Sequence, residues 1–594
     1  MTYAAPIQDI AFVLETIAEF GEIAKLPGYQ EASPETVTAV LNEAARFASD
    51  VLAPLNQIGD RQGCRLENGV VRTPDGFRAA YQQFVDAGWN STPFETEYGG
   101  QGLPWALATA TQEMWNAANM SFGLCPLLTQ GAVELLQSHG SAEQKSTYLP
   151  RLISGRWTGT MNMTEPQAGS DVGSIRTRAI KDEAHYRITG QKIFITFGEH
   201  DMAENIVHLV LARTPSGRAG VRGISLFIVP KHLPRPDGSL GSRNDVRCVS
   251  LEHKLGINGS PTAVLAFGED GGAVGELVGE ENRGIEYMFT MMSNARLSIG
   301  VQGLAIAERA YQQARDYARA RLQGRAGDSP EPVPIVRHPD VRRMLMTMRA
   351  QIEAMRALIY FTASLIDRAK RCPDEGVRRQ DQLLADYLIP VAKGWCTDIG
   401  CAVASTALQV HGGVGFVEQT GAAQHYRDAR ITPIYEGTNG IQAIDLVGRK
   451  LIKDGGGAAR ALMNEMAVAA ADMNRIEDGE LRQLAPRLLE SIRALSSATE
   501  WLLETWPRNT RLALASASPY LTLVGLTVSG WLLAKTALAA HRRLESKSGD
   551  YPFMKAKIAT VTFYEMNMLP MAAGIAATIT SGASSVLALT DEQF

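Results

Sequence analysis

Apolar residues recur at helical spacing over most of the amino-terminal quarter. In PETVTAVLNEAARFASDVLAPL (34–55), Pro34 and Glu35 open a run in which Val37, Val40, Leu41, Ala44 and Ala48 share one face. Trp105–Met120 and Ala132–Leu149 show the same period and are expected to be two helices, divided by the glycines and proline between them. The period changes near residue 157. From Trp157 to about Gly284 the chain runs through YRITG, KIFITF, NIVHLVLA, ISLFIVP and TAVLAFG. These β-branched and aromatic stretches, bounded by Gly, Pro or Asp, predict a mainly antiparallel β unit. Helical periodicity returns at 286–322, 337–370, 377–410 and 440–470, broken by the Gly- and Pro-rich QGRAGDSPEPVPIV at 323–336. After GGGAAR (455–460), further helices are expected at 462–475, 480–502, 523–546 and 551–585.

These shifts divide the 594 residues into an amino-terminal extension (1–34), a helical domain (35–157), a central β domain (158–285), a second helical domain (286–465) and an added helical region (466–594). Two uncharged runs in the last region, 512–534 and 566–590, are long enough to span a bilayer. Ser516, Ser518, Pro519, Thr522 and Ser529 in the first, and Pro570, Gly574 and Ser584 in the second, favour helices buried in a bundle. Peripheral membrane contact is the alternative.

Composition narrows the function classes. Fifty-eight basic against 63 acidic residues leave a net charge of -5, so the chain carries no overall basic footprint for nucleic acid. The six cysteines include no C-x-x-C pair and no close Cys/His group, which points to free thiols rather than a disulfide framework or a metal site. The first twenty residues hold acids and no Lys or Arg, unlike a secretory signal or a basic transit peptide. The expected location is cytoplasmic.

Four segments are more polar and glycine-rich than packing asks for. MNMTEPQAGSDVGS (161–174) lies where helix gives way to strand, and its amides and hydroxyls suit a polar ligand. QKIFITFG (191–198) reads as a strand projecting Phe194 and Thr196 to one face, either as sheet core or as a ligand surface. QVHGGVGF (409–416) ends an apolar helix with glycines that either terminate it or let a ligand approach the backbone. In ITPIYEGTNGIQ (431–442), Glu436 precedes a glycine turn and a helix. It is either an N-cap-like anchor or a carboxylate base whose pKa burial can raise.

Taken in order, these segments resemble the acyl-CoA dehydrogenase family. FETEYGGQG (94–102) is similar to an amino-terminal family signature, and YARARLQGR (317–325) to the segment after the first long helix of the carboxyl domain. The resemblance covers about residues 35–465, and the added tail resembles that of long bacterial members. It implies an α+β multidomain fold: a helical domain, a central antiparallel β domain, a carboxyl four-helix bundle and an extra helical domain. The implied activity is FAD-dependent α,β-dehydrogenation of an acyl-CoA to a trans-2-enoyl-CoA, with electrons passed to an electron-transferring flavoprotein. An acyl-CoA oxidase and a non-catalytic flavoprotein-like scaffold are the alternatives. The subgroup likeness implies medium-to-long or sulfur-containing acyl groups, such as 3-methylthiopropanoyl.

The same resemblance implies residue roles. Glu436 matches the catalytic base; the other family position for it, just before Arg296, is Ala295, which takes no proton. Arg296 is expected to orient the Glu436 loop. Met161, Met163, Thr164, Phe194 and Thr196 match flavin-contacting positions, with Phe194 where relatives often carry tryptophan. Thr438 matches a further flavin contact, although the glutamine expected two places later is Gly440. Arg321 and Gln323, with Gln409, Gly412 and Gly413, match the site for the pyrophosphate end of a neighbouring subunit's flavin, which implies at least a homodimer. Gly324-Arg325 replaces the family's Phe-Gly there. Ser170, Tyr435 and Gly437 are assigned to the acyl-CoA.

Overall fold

The computed structural model describes residues 3–235, 237–327, 330–476 and 479–594, so Asp328 and Ser329 of the expected 323–336 break lie outside the described residues. Helix α1 (Ile7–Thr16) buries Ile10, Phe12, Val13 and Leu14. Ser33 Oγ accepts the Thr36 amide at 3.2 Å and Pro34 supplies the first turn of α2 (Pro34–Phe47), a start that the Ser-Pro-Glu sequence encodes. Next come α3 (Ala53–Gln62), α4 (Phe77–Asp86) and α5 (Trp105–His139), the last buried along nearly all its length.

The expected division is present in α5, but its place and cause are corrected. Gly123 and Pro126 lie inside the helix, and the chain bends instead at Asn119, whose φ of -158° and ψ of 92° leave the helical region. Asn119 Oδ1 accepts the Phe122 amide at 3.1 Å, so a side chain caps the restarted helix where sequence periodicity shows no stop. The break falls at Gly140–Ser141, where Ser141 and Gln144 form a capping box for α6 (Ala142–Ile153).

An eight-stranded sheet follows: β1 (Trp157–Asn162), β2 (Arg178–Asp182), β3 (His185–Thr196), β4 (Asn205–Ala212), β5 (Ser225–Pro230), β6 (Val246–Leu251), β7 (Thr262–Phe267) and β8 (Ala273–Leu277). The order is β6-β7-β3-β8-β5-β4-β1, with β2 also on β3. Pairing is antiparallel except between β1 and β4, which run parallel from Trp157↔Asn205 to Asn162↔Val210. The β2–β3 hairpin lies between them and returns the chain to the starting end, as a parallel pair requires.

The second helical domain is built on α7 (Gly284–Ala320), α8 (Pro339–Arg371) and α9 (Glu375–His411), with short α10 (Ala422–Ala429) and α11 (Asn439–Asp445). Glycines bring α7 and α9 into backbone contact: a Cβ on Gly303 would sit 2.5 Å from the Cys396 carbonyl oxygen. The added region comprises α12 (Gly457–Asn474), α13 (Ala485–Thr505), α14 (Ala517–Glu545), α15 (Tyr551–Asn567) and α16 (Met571–Gly582). The first uncharged run lies mostly in α14, whose apolar window is 89% buried; Trp531 meets Phe361 of α8 edge-on at 5.3 Å. The second run differs from expectation. A single helix over 551–585 breaks at Met568–Pro570, and its window is only 28% buried, leaving Met571 and Val586 exposed.

A buried charge network ties both ends of the chain to this core. Arg356 of α8 donates to Glu113 of α5 (Nε, 3.0 Å), Glu308 of α7 (2.8 Å) and Asp9 of α1. Lys557 of α15 pairs with Glu353 of α8 at 2.9 Å and with the same Asp9. Burial alone would raise the Asp9 pKa, but Lys557 and Arg356 outweigh it and hold the carboxyl at about 2. Its contribution to stability is therefore complete above about pH 3.8 and fades as pH falls toward 2. Arg356→Met leaves buried carboxylates without their countercharge and is expected to cost about 3–5 kcal/mol. A lowered urea midpoint and faster proteolysis of α1 check this; a native midpoint contradicts it.

Candidate active site

β1 carries Met161 and Asn162 to the edge of the helical domain, and the following loop is pinned to β3. The Thr164 carbonyl accepts the Ile193 amide at 3.0 Å, and Lys192 Nζ donates to Met163 O (3.1 Å) and Glu165 Oε1 (2.8 Å). Glu165 also accepts the Arg176 amide (2.6 Å), the Thr177 amide (3.0 Å) and the Thr177 hydroxyl (2.6 Å). Burial opposes its charge, yet Lys192 and these donors hold its pKa at about 2. The wholly enclosed Lys192 is pulled the other way: burial lowers it to about 8 despite Glu165. The carboxylate collects several donors while the ammonium has two acceptors, so the loop is locked chiefly through Glu165.

Simple alternation in β3 is corrected by a β-bulge. Thr196 faces Thr262 and Ile195 faces Ala263, but the next paired residues are Lys192 and Leu265. Ile193 and Phe194 thus oppose Val264 alone. Phe194 has φ of +60° and is 58% exposed, so its ring leaves the sheet core beside the 161–164 loop, while Thr196 is half-buried. Ser170 lies farther along that loop and is exposed.

The 431–442 loop closes the site from the bundle side. Glu436 (φ +56°) and Gly437 (φ +83°) form a left-handed turn. Thr438, not Glu436, caps α11: its Oγ1 accepts the Ile441 amide at 3.2 Å, which removes the N-cap reading of Glu436. Gln442 Nε2 donates to the carbonyls of Glu436 (3.3 Å) and Gly437 (3.2 Å). Arg296, 5% exposed, pairs with Asp445 at 2.9 Å and places Nη2 3.9 Å from where a Gly437 Cβ would stand. Tyr435 donates its hydroxyl to Gln302 Oε1. Half-buried in surface area, Glu436 still has enough protein around it that burial raises its pKa to about 7, against the opposing pull of Lys393 and Arg296. Among the described residues, its backbone amide donates to no protein acceptor.

The remaining expected residues gather elsewhere. Arg321 Nη2 donates to Gln323 Oε1 at 3.2 Å just past the end of α7, and Tyr317 stacks on His411 with ring centres 4.7 Å apart. That stacking brings the end of α7 to exposed Gln409, Gly412 and Gly413; a Cβ on either glycine would meet nothing within 4 Å. Arg296 and Arg321 are 25 residues apart, which at helical rise is about 37 Å. The structure thus sets the Arg321–Gly413 cluster apart from the loops around Glu436. Sequence reading passed over Lys192, Glu165, Lys393, Asn439 and Gln442. Lys393 alone left a trace, as a lone cation in the apolar run YLIPVAKGWC.

Comparison with known proteins decides what this architecture is. The chain is 49% identical to a 3-methylmercaptopropionyl-CoA dehydrogenase of Ruegeria pomeroyi over 99% of each chain. It belongs to the acyl-CoA dehydrogenase family. The family's N-terminal, middle and C-terminal domain models match residues 34–156, 160–269 and 282–452, and an acetyl-CoA dehydrogenase C-terminal-like model matches 462–590. A broad-specificity linear acyl-CoA dehydrogenase of Mycobacterium tuberculosis is 34% identical over 96% of each chain. The solved acyl-CoA dehydrogenase from Bacillus anthracis, complexed with FAD, shares the fold at a TM-score of 0.75 and 20% identity, over 96% of this chain and 91% of that one.

The cofactor of the family is FAD, and the residues present fit it. Phe194 offers an aromatic face, the 161–164 loop and the Glu436 turn offer backbone and hydroxyl donors, and Arg321 with the open glycines at 412–413 suits a pyrophosphate. Replacing Glu165 by Gln strips Lys192 of its countercharge. FAD affinity of Glu165→Gln is expected to fall at least ~10-fold through loss of loop order, with stability lowered by about 3–5 kcal/mol. Flavin fluorescence on dilution reads the first and thermal unfolding the second. Native FAD retention contradicts the clamp.

Proposed function

We propose that this acyl-CoA dehydrogenase uses Glu436 to take a Cα proton from a short acyl-CoA as hydride leaves Cβ, giving a trans-2-enoyl-CoA. The observation that carries this is the placement of Glu436, on a left-handed turn between Arg296 and Lys393 with its pKa raised to about 7. A thioester α-proton is a weak acid in water, so its removal needs a base poised near neutrality and donors for the enolate oxygen. Burial supplies the first. The unengaged Glu436 amide supports the second. Arg296, paired with Asp445, packs against Gly437 and fixes the turn. FAD, when bound, supplies the hydride acceptor at N5. Electrons then pass to an electron-transferring flavoprotein.

The two-cluster arrangement supports a homodimer. The clusters lie roughly 37 Å apart along α7, so in such a dimer the first cluster of one subunit would hold the flavin end of FAD and the Arg321–Gly413 cluster of its partner the pyrophosphate end.

For the acyl group, the polar packing behind the base is informative. Gln302 Nε2 donates to Asn116 Oδ1 (3.3 Å), Asn116 Nδ2 to the Gln112 carbonyl (2.8 Å), and Gln112 Nε2 to Gln130 Oε1 (2.6 Å). This buried amide ladder, joined to Tyr435, disfavours a long hydrocarbon tail there. With the full-length likeness to a 3-methylmercaptopropionyl-CoA dehydrogenase, it supports a short, sulfur-bearing acyl group.

Two measurements test these readings. Glu436→Gln is expected to keep yellow flavin bound and to lose at least ~100-fold in the anaerobic rate of flavin bleaching; near-native bleaching contradicts the base assignment. Across straight-chain C4 to C18 and 3-methylthiopropanoyl thioesters, kcat/KM is expected to peak at the methylthio compound and to fall by about tenfold or more beyond C8. A maximum at C12 or longer contradicts the short-chain reading.

A further inference from the structure

Lys393 lies at the centre of α9 with none of its surface exposed, in an apolar stretch that gives an ammonium little solvation. Among the described residues it makes no ion pair within 4 Å. Its one side-chain hydrogen bond runs from Nζ to Asn439 Oδ1, at 2.8 Å. Asn439 in turn fastens the loop that carries Glu436. Its backbone amide donates to the Pro433 carbonyl at 3.0 Å, closing the 433–439 turn. Its Nδ2 donates to Gly394 O (3.0 Å), Thr397 Oγ1 (3.0 Å) and Asp398 Oδ1 (2.7 Å), all on α9. The side chain that receives the ammonium therefore also docks the base loop on the helix bearing that ammonium.

The other cation facing Glu436, Arg296, is bonded to a carboxylate of its own, Asp445, at 2.9 Å. Lys393 has no such bonded carboxylate, and its strongest attraction is to Glu436, then to Asp398. A buried ammonium without its own counterion is costly to keep unless something nearby needs its field.

We propose that Lys393 is a positioning residue for the reaction: held by Asn439, its buried ammonium keeps Glu436 ionised and aimed before the substrate proton is taken. This rests on the reading of Glu436 as the base. Burial lowers Lys393 to about 7 and raises Glu436 to about 7, and the foremost opposing charge on each is the other. When Glu436 takes the Cα proton, that mutual support ends. The groups that set the balance are few. Glu436 faces Lys393 from α9, Arg296 from α7 with Asp445 of α11 behind it, and Tyr435 of its own loop. Lys393 also faces Asp398 and Cys401 of α9, and Arg430, beyond α10, acts on both of these. Asp428 of α10 acts on Tyr435.

The test uses the FAD-loaded holoenzyme and butanoyl-CoA, with the anaerobic bleaching rate followed across pH for the native protein, Lys393→Met, Lys393→Gln and Lys393→Arg. Removing the positive charge raises the proton affinity of Glu436. In both neutral variants the acid limb is expected to move up by about one pH unit or more, with roughly tenfold slower bleaching at pH 7 and recovery toward the native rate near pH 9. KM is expected to change less than about twofold, and Lys393→Arg to restore the limb to within about half a unit of native. Lys393→Gln keeps a donor for Asn439, so the test remains open if Lys393→Met fails to fold. An unmoved limb in a folded, yellow neutral variant overturns the proposal. Glu436→Gln run in parallel separates the two claims: native bleaching there removes the base assignment itself. Loss of bleaching there with unmoved limbs in the Lys393 variants overturns only the role of Lys393.

Discussion

One carboxylate has to be taken out of water without being neutralised for good. Burial of Glu436 raises its proton affinity into the range useful near neutrality, and the positive charges of Lys393 and Arg296 keep it from rising further. The turn that achieves this is strained. A glutamate at φ of +56° costs about 1–3 kcal/mol relative to ordinary backbone, and it persists because Gln442, Asn439 and Arg296 hold the loop from three sides. Much of the second helical domain serves that placement. Glycine contacts bring α7 and α9 close together, and those helices carry Arg296 and Lys393 to either side of the loop.

The sheet solves a different problem with similar means. A bulge turns Phe194 out of the core, and the Glu165–Lys192 pair fixes the adjacent loop, so an aromatic face and a set of backbone donors are presented together. Both features depend on charges or backbone conformations that would be unfavourable in isolation. The added regions lie outside this chemistry. α1 and α15 meet at Asp9, whose carboxylate is shared between Arg356 and Lys557, and α14 packs its apolar length against the bundle. They pack on α8 and α9 of the bundle.

Element types were largely legible because they follow from local periodicity. The Ser33–Pro34 helix start, the long helices of the bundle and the strand-rich centre all declare themselves within a dozen residues. What escaped depends on partners distant in sequence. The bend at Asn119 comes from a side chain capping a restarted helix, and the glycine and proline that seemed to promise a break are absorbed inside it. The parallel direction of the β1–β4 pair and the register shift at Phe194 depend on the partner strand, which alternation along one strand does not carry. Among the site residues, the loops stood out by composition and family resemblance, and the structure sets Arg296 beside the Glu436 turn. Lys393 stayed hidden because its partner, Asn439, lies 46 residues on. The second uncharged run misled for the same reason: whether a small-residue helix is covered depends on neighbours, and here it is mostly open.

Glu436 as the base is tested most directly by the anaerobic rate of flavin bleaching by butanoyl-CoA with and without deuterium at Cα, measured on the native holoenzyme from about pH 5.5 to 9. The rate is expected to rise with ionisation near 7, the value to which burial brings Glu436, with a primary isotope effect along the limb. A rate flat across that range, or one already complete near the ordinary carboxylate range, would contradict it.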